Sequence, residues 1–226
     1  MHSVLSAAWL IARKDLSIEF RTKSAFIGSL VFALVGIVIF YFAWDSTAVT
    51  SIDIAPGVLW GIFMFAGLTG LHRAFAIEHE ERAMDALLAA PVDREAIFLG
   101  KAIANLALVV AVQVIAIPAV GLFYNVPLGR IAGALFGIAF LAAVGIVVVG
   151  TLFSAMVSNT RLAEILLPML SLPFFVPILI PAAQATTRLL SGRPIGEALP
   201  WLKLLVAFDI VFLVACTLAF PFTIED

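Results

Sequence analysis

Cysteine is almost missing from this chain: Cys216 is the one thiol in 226 residues. That excludes an intrachain disulfide, a CxxC redox pair and the CxxCH motif that attaches haem covalently. Lying in an apolar run, it reads as a buried, inert thiol. Charge is scarce too. Asp, Glu, Lys and Arg make up 12% of the residues and the net charge is −2, so no basic excess is on offer to nucleic acid. The catalytic motifs are absent as well. The one Gly-Lys pair, Gly100-Lys101, is followed by Ala102 and preceded five residues earlier by Glu95, so it is no phosphate loop. Neither HExxH nor Gly-x-Ser-x-Gly occurs. The sequence therefore offers no catalytic residues, no metal set and no ATPase site. Energy for any work must come from elsewhere, either a partner ATPase or an ion gradient. There is no internal repeat and no low-complexity tract. The first residues are not expected to be a cleaved leader: the apolar stretch Val4–Ala12 is short and its charges follow it. The first span is expected to act as an uncleaved targeting signal.

What the chain does have is apolar residues. They form 63% of it and the mean hydropathy is +1.16, whereas ordinary globular domains sit near roughly 45–50% apolar. The fold class expected is an all-α polytopic membrane protein forming one domain over residues 1–226. Six segments approach or exceed the ~20 residues that cross hydrocarbon: Ala25–Trp44, Ala55–Leu71, Ala102–Tyr124, Ile131–Val157, Leu162–Ala185 and Trp201–Phe222. The second reaches adequate length only by taking in Ile52–Ile54 or His72–Ile77. Orientation follows from the basic residues. Arg13, Lys14, Arg21, Lys23, Arg73, Arg82, Arg94, Lys101 and Arg161 fall in alternate loops, against Arg130, Arg188 and Arg193 in the others. Both termini are thus expected in the cytoplasm. Tyr41, Trp44, Trp60, Tyr124 and Trp201 are expected to form a belt at the outer interface.

Two helices that do not span are expected on the cytoplasmic side. The first, within residues 1–24, carries Leu5, Trp9, Ala12, Leu16 and Phe20 at spacings of three and four, the stripe of a helix lying in the membrane surface. The second covers Phe75–Ala90. It holds Glu78, His79, Glu80, Glu81, Arg82 and Asp85, then Met84, Leu87 and Leu88, and ends at Pro91. One reading is a solvated charged face. The other is a docking helix for a cytoplasmic partner, which its mixed acidic and apolar character at the mouth of the bundle favours.

The fifth span is unusual. Pro168, Pro173, Pro177 and Pro181 fall inside LLPMLSLPFFVPILIPAA. Each removes a backbone donor and frees the carbonyl four residues earlier, and lipid has no water to satisfy it. A deformable or broken helix packed among others is expected there. Other intramembrane polar residues are few. Asn105 and Gln113 read as hydrogen-bonding groups between helices. Asp209 lies about a third of the way into the sixth span, where a charge is costly. Lys203, six residues away, is on another face. This leaves a partner on another helix, a protonated carboxyl, or a position close to the outer interface. Gly57-x-x-x-Gly61 and Gly133-x-x-x-Gly137 have the spacing that lets helices approach closely. His2, His72 and His79 all fall on the cytoplasmic side; each could ligate haem iron or a metal, but lone histidines at a membrane edge read as interfacial polar groups.

Taken together, the N-terminal RKDLSIEFRTKSAF (Arg13–Phe26), the six spans, FAIEHEERAMDALLAAP (Phe75–Pro91) and LPMLSLPFFVPILIPAAQAT (Leu167–Thr186) resemble the CcmB family. That family is the membrane (permease) subunit of the cytochrome c maturation ABC transporter, also called haem exporter protein B. The resemblance covers nearly the whole chain and implies an ABC-2-type exporter-like permease in the bacterial inner membrane. It implies that Phe75, Glu78, Glu80, Glu81, Asp85, Leu87 and Leu88 form a loop contacting the partner ATPase. Arg82 stands where the family tends to have Gly, which permits backbone conformations that Arg does not. It also implies partners: a cytoplasmic CcmA-like ATPase that holds the ATP, CcmC-like and CcmD-like membrane proteins, and the periplasmic haem chaperone CcmE, whose haem-loaded form is released at the expense of ATP. Haem is then cargo or a neighbouring ligand, and no cofactor is assigned to this chain itself. Two other readings stay open: an ABC permease for a drug, lipid or polysaccharide, and a non-transporting assembly scaffold.

Overall fold

The computed structural model describes residues 4–45, 47–80, 92–157, 160 and 162–223. Among them there are seven α-helices, one 3-10 turn and no strand. The helices are α1 (Val4–Thr22), α2 (Ser24–Ala43), α3 (Ser51–Glu80), α4 (Arg94–Phe123), α5 (Leu128–Val157), α6 (Ala163–Leu190) and α7 (Leu199–Thr223), with the turn at Ile195–Glu197. All but α1 are long and apolar enough to cross a membrane. The protein is an all-α, multi-pass membrane protein.

The six long helices alternate in direction, so the chain has two ends. One carries α1, Glu80, Arg94, Val157 and Thr223; the other carries the short α2–α3, α4–α5 and α6–α7 connections. In the α2–α3 connection the Thr47 amide and hydroxyl both donate to Asp45 Oδ1, at 2.9 and 2.6 Å. Those bonds, the hydroxyl's first, hold the Asp45 carboxyl below the usual carboxylate range.

Burial separates the helices. In α3, 67% of the apolar window is buried; in α2 and α7 it is 22%. Helix α3 is thus the inner rod, touching α2, α4, α5 and α6, while α2 and α7 leave most of their surface outward. Inside a membrane, van der Waals packing holds such helices together, because lipid tails are as apolar as leucine. The seams are not where the glycine spacing suggested. A methyl group added at Gly57, Gly61, Gly133 or Gly137 meets nothing within 4 Å, so these four face open space. Close contact is made instead at Gly100, at Gly145 and at Gly150, which abuts Leu71.

The aromatic belt also needs one correction. At the far end Trp44 stacks on Tyr124 at 5.5 Å and Tyr41 meets both Phe123 and Tyr124 edge-on. Arg188 lies over the Trp201 ring at 5.1 Å. Trp60 is not among them. It is 2% exposed, and its indole N–H donates to Thr186 Oγ1 at 3.0 Å. A buried indole needs an acceptor, and one on α6 makes Trp60 a clamp between helices rather than an interfacial ring.

Candidate functional site: the α1 end and the buried polar groups

Helix α1 contains neither Gly nor Pro, and it has two faces. Ala8, Ile11 and Ala12 are buried against α4. The approach is close because position 100 has no side chain: a Cβ there would stand 2.7 Å from the Ala8 carbonyl and 2.8 Å from Ile11 Cβ. Next to this contact Lys101, 3% exposed, pairs with Asp15 at 3.6 Å, while Lys14 meets the other Asp15 oxygen at 2.9 Å. A buried ammonium is retained only with such compensation. Leu5, Trp9 and Phe20 point the other way and are 60% exposed or more. The chain turns into α2 through Lys23, whose φ of 55° is left-handed, a conformation that costs an ordinary residue roughly 1–2 kcal/mol. Glu19 closes the corner by accepting the Phe26 amide at 2.8 Å. At the same end Arg94 donates to the Pro221 carbonyl at 3.1 Å, joining the start of α4 to the end of α7.

The proline segment is not broken. Pro168, Pro173, Pro177 and Pro181 all lie inside one continuous helix, α6. Three of them recur every four residues, so the lost backbone bonds fall along one edge and leave the remaining ladders intact. Pro173 and Pro177 are exposed, Pro168 is half-buried and Pro181 is buried.

Two of the polar residues link α4 to α5. Asn105 Nδ2 donates to Thr151 Oγ1 and Gln113 Nε2 donates to the Ala139 carbonyl, both at 3.1 Å. Asp209 differs. It is 7% exposed, and neither carboxyl oxygen has a hydrogen-bond partner among the described residues. No partner on another helix is found there, and Lys203 is exposed. Trp201 lies eight residues earlier, about 12 Å along the helix, so Asp209 is not close to that interface.

The acidic segment is only partly visible. Phe75, Glu78 and Glu80 belong to α3, which runs on to Glu80; their side chains, with Glu81, Arg82, Asp85, Leu87 and Leu88, lie outside the described residues. A separate helix starting at Phe75 is thus not what is found. Leu71-His72-Arg73-Ala74 contains no breaker, so the span helix simply continues. His2 and the side chain of His79 also fall outside. Among the described residues no three His, Cys, Asp or Glu side chains cluster as a metal site.

A model of the family described as "CcmB protein" matches residues 6–226. This chain belongs to the CcmB family. Two bacterial relatives share the name "Heme exporter protein B". That of Rhodobacter capsulatus is 30% identical over 84% of this chain and 86% of its own length; that of Paracoccus denitrificans is 30% identical over 91% and 89%. A third, from Bradyrhizobium diazoefficiens, is 25% identical over 93% of each. Sequence reasoning within this CcmB chain missed the Lys101–Asp15 pair, which joins residues far apart in sequence. The available signal was a lone Asp in the basic run of α1 and a Lys just inside an apolar helix.

Proposed function

We propose that this chain is the membrane subunit of an ABC transporter complex for cytochrome c maturation, of ABC-2-type permease architecture. The observation that carries the reading is the family match over residues 6–226 on a bundle of six membrane-length helices. The chain works without an ATPase site of its own. ATP is hydrolysed by a cytoplasmic CcmA-like partner docked on Phe75–Ala90, beside CcmC-like and CcmD-like membrane proteins. The outcome is release of haem-loaded CcmE-like chaperone. The chain lies in the bacterial inner membrane with both termini cytoplasmic, and the clustering of Arg and Lys at the α1 end supports that orientation.

The helix geometry suggests how a stroke travels. Because α3 is continuous from Ser51 to Glu80, a push at the acidic segment acts on the end of the most enclosed helix. Trp60, farther along it, is hydrogen-bonded to Thr186 of α6, so α6 is one recipient of the push. Its four prolines lower the cost of bending there. The coupling needs partner contacts that differ between nucleotide states. Deleting the gene and staining c-type cytochromes for covalently bound haem tests the reading. Loss of the stain, restored by the gene on a plasmid, is expected; undiminished staining contradicts it.

A further inference from the structure

Asp209 is used by nothing described so far. It sits on α7 where α5 and α6 meet that helix. A Cβ at Gly145 of α5 would be 2.8 Å from Asp209 Oδ1 and 2.9 Å from Ile178 Cδ1 of α6. The carboxyl therefore occupies the space that a side chain at 145 would fill, pressed between a bare backbone and an isoleucine. Both oxygens are buried and have no protein donor among the described residues.

Among the described residues no charge stands ready to compensate an anion there. On α5 the one ionisable residue is Arg130, fifteen residues from Gly145. Helix α6 has Glu164 and Arg188, fourteen and ten residues from Ile178. Helix α4 has Arg94, Glu95 and Lys101 near its start, and Lys101 is held by Asp15. The 3-10 turn has Glu197, which pairs with Arg193. On α7 itself Lys203 is exposed and Cys216 is a buried thiol two turns away. An ionised carboxylate in such a place is unsupported, whereas the neutral acid is far cheaper to bury.

We propose that Asp209 is a proton-binding site in the membrane interior: it carries its proton while α5, α6 and α7 are packed in this way and releases it when that packing opens. This holds whatever the transported species and goes beyond the family reading.

The test uses membranes containing the full chain with its partners, treated near neutral pH with dicyclohexylcarbodiimide or with a water-soluble carbodiimide. In the reaction the acid proton passes to a carbodiimide nitrogen as the carboxyl oxygen bonds the central carbon. Rearrangement to the N-acylurea leaves a stable mass on the peptide. The apolar reagent is expected to mark Asp209, the water-soluble one to leave it unmarked, and Asp209→Asn to remove the mark. Infrared difference spectra between the chain and Asp209→Asn give a reading independent of reagent entry, and a protonated-carboxyl carbonyl band is expected. Absence of that band, marking by both reagents alike, or failure of Asp209→Asn to accumulate in the membrane would each overturn the proposal.

Discussion

Lys101 and Asp209 are both ionisable residues buried in membrane helices, and the chain treats them in opposite ways. Lys101 lies near the α1 end, where a separate helix brings Asp15 to within 3.6 Å. Asp209 lies among α5, α6 and α7 with no such helper among the described residues. Both sites are made by a glycine, Gly100 beside the first and Gly145 beside the second. At Gly100 the missing side chain admits another backbone; at Gly145 it admits the carboxyl itself. The lesson is that close packing alone does not say how a buried charge is managed. A charge that must persist is given a partner, and the one left without a partner is the candidate to change its protonation.

The largest expected effect breaks the paired side. Asp15→Ala takes the carboxylate from a lysine that is 3% exposed, and thermal unfolding in detergent should show a loss of about 3 kcal/mol. Adding Lys101→Met should recover most of it, since an apolar side chain of similar volume has no charge to compensate. Next comes the seam. Gly100→Ala drives a methyl into the Ala8 carbonyl and should cost about 1–3 kcal/mol. Gly137→Ala, on an open face, should be neutral or gain up to about 1 kcal/mol; equal losses at both would remove the distinction between seam and surface glycines. The smallest effect is expected at Asp209→Asn, which should leave the melting temperature unchanged. A drop like that of Asp15→Ala would mean the two sites are alike after all.

How much of this was legible beforehand depends on the distance over which each feature is encoded. The six membrane helices were readable because hydropathy is a local sum over about 20 residues. The stripe of Leu5, Trp9, Ala12, Leu16 and Phe20 was readable only in part from its three- and four-residue spacing: Leu5, Trp9 and Phe20 are exposed, but Ala12 is buried on the α4 side and Leu16 is half-buried. Trp60 was misplaced because its ring looked like its interfacial neighbours, and only the fold brings Thr186 to its N–H. The unbroken α6 was hidden because proline's local cost says nothing of how four-residue spacing confines the damage to one edge. Gly57 and Gly137 had the right spacing but the wrong faces, and spacing alone does not show which face meets a neighbour. The continuation of α3 through Phe75 was, by contrast, available from the absence of any breaker in Leu71–Ala74.

The central claim, that a separate nucleotide-hydrolysing protein drives this bundle through the segment after α3, is tested most directly by charge reversal. Glu80→Lys combined with Glu81→Lys is introduced into the tagged chain, and the complex is purified from membranes. The account predicts that the chain still inserts and that the ATPase no longer accompanies it. Full recovery of the ATPase with the reversed chain would contradict it.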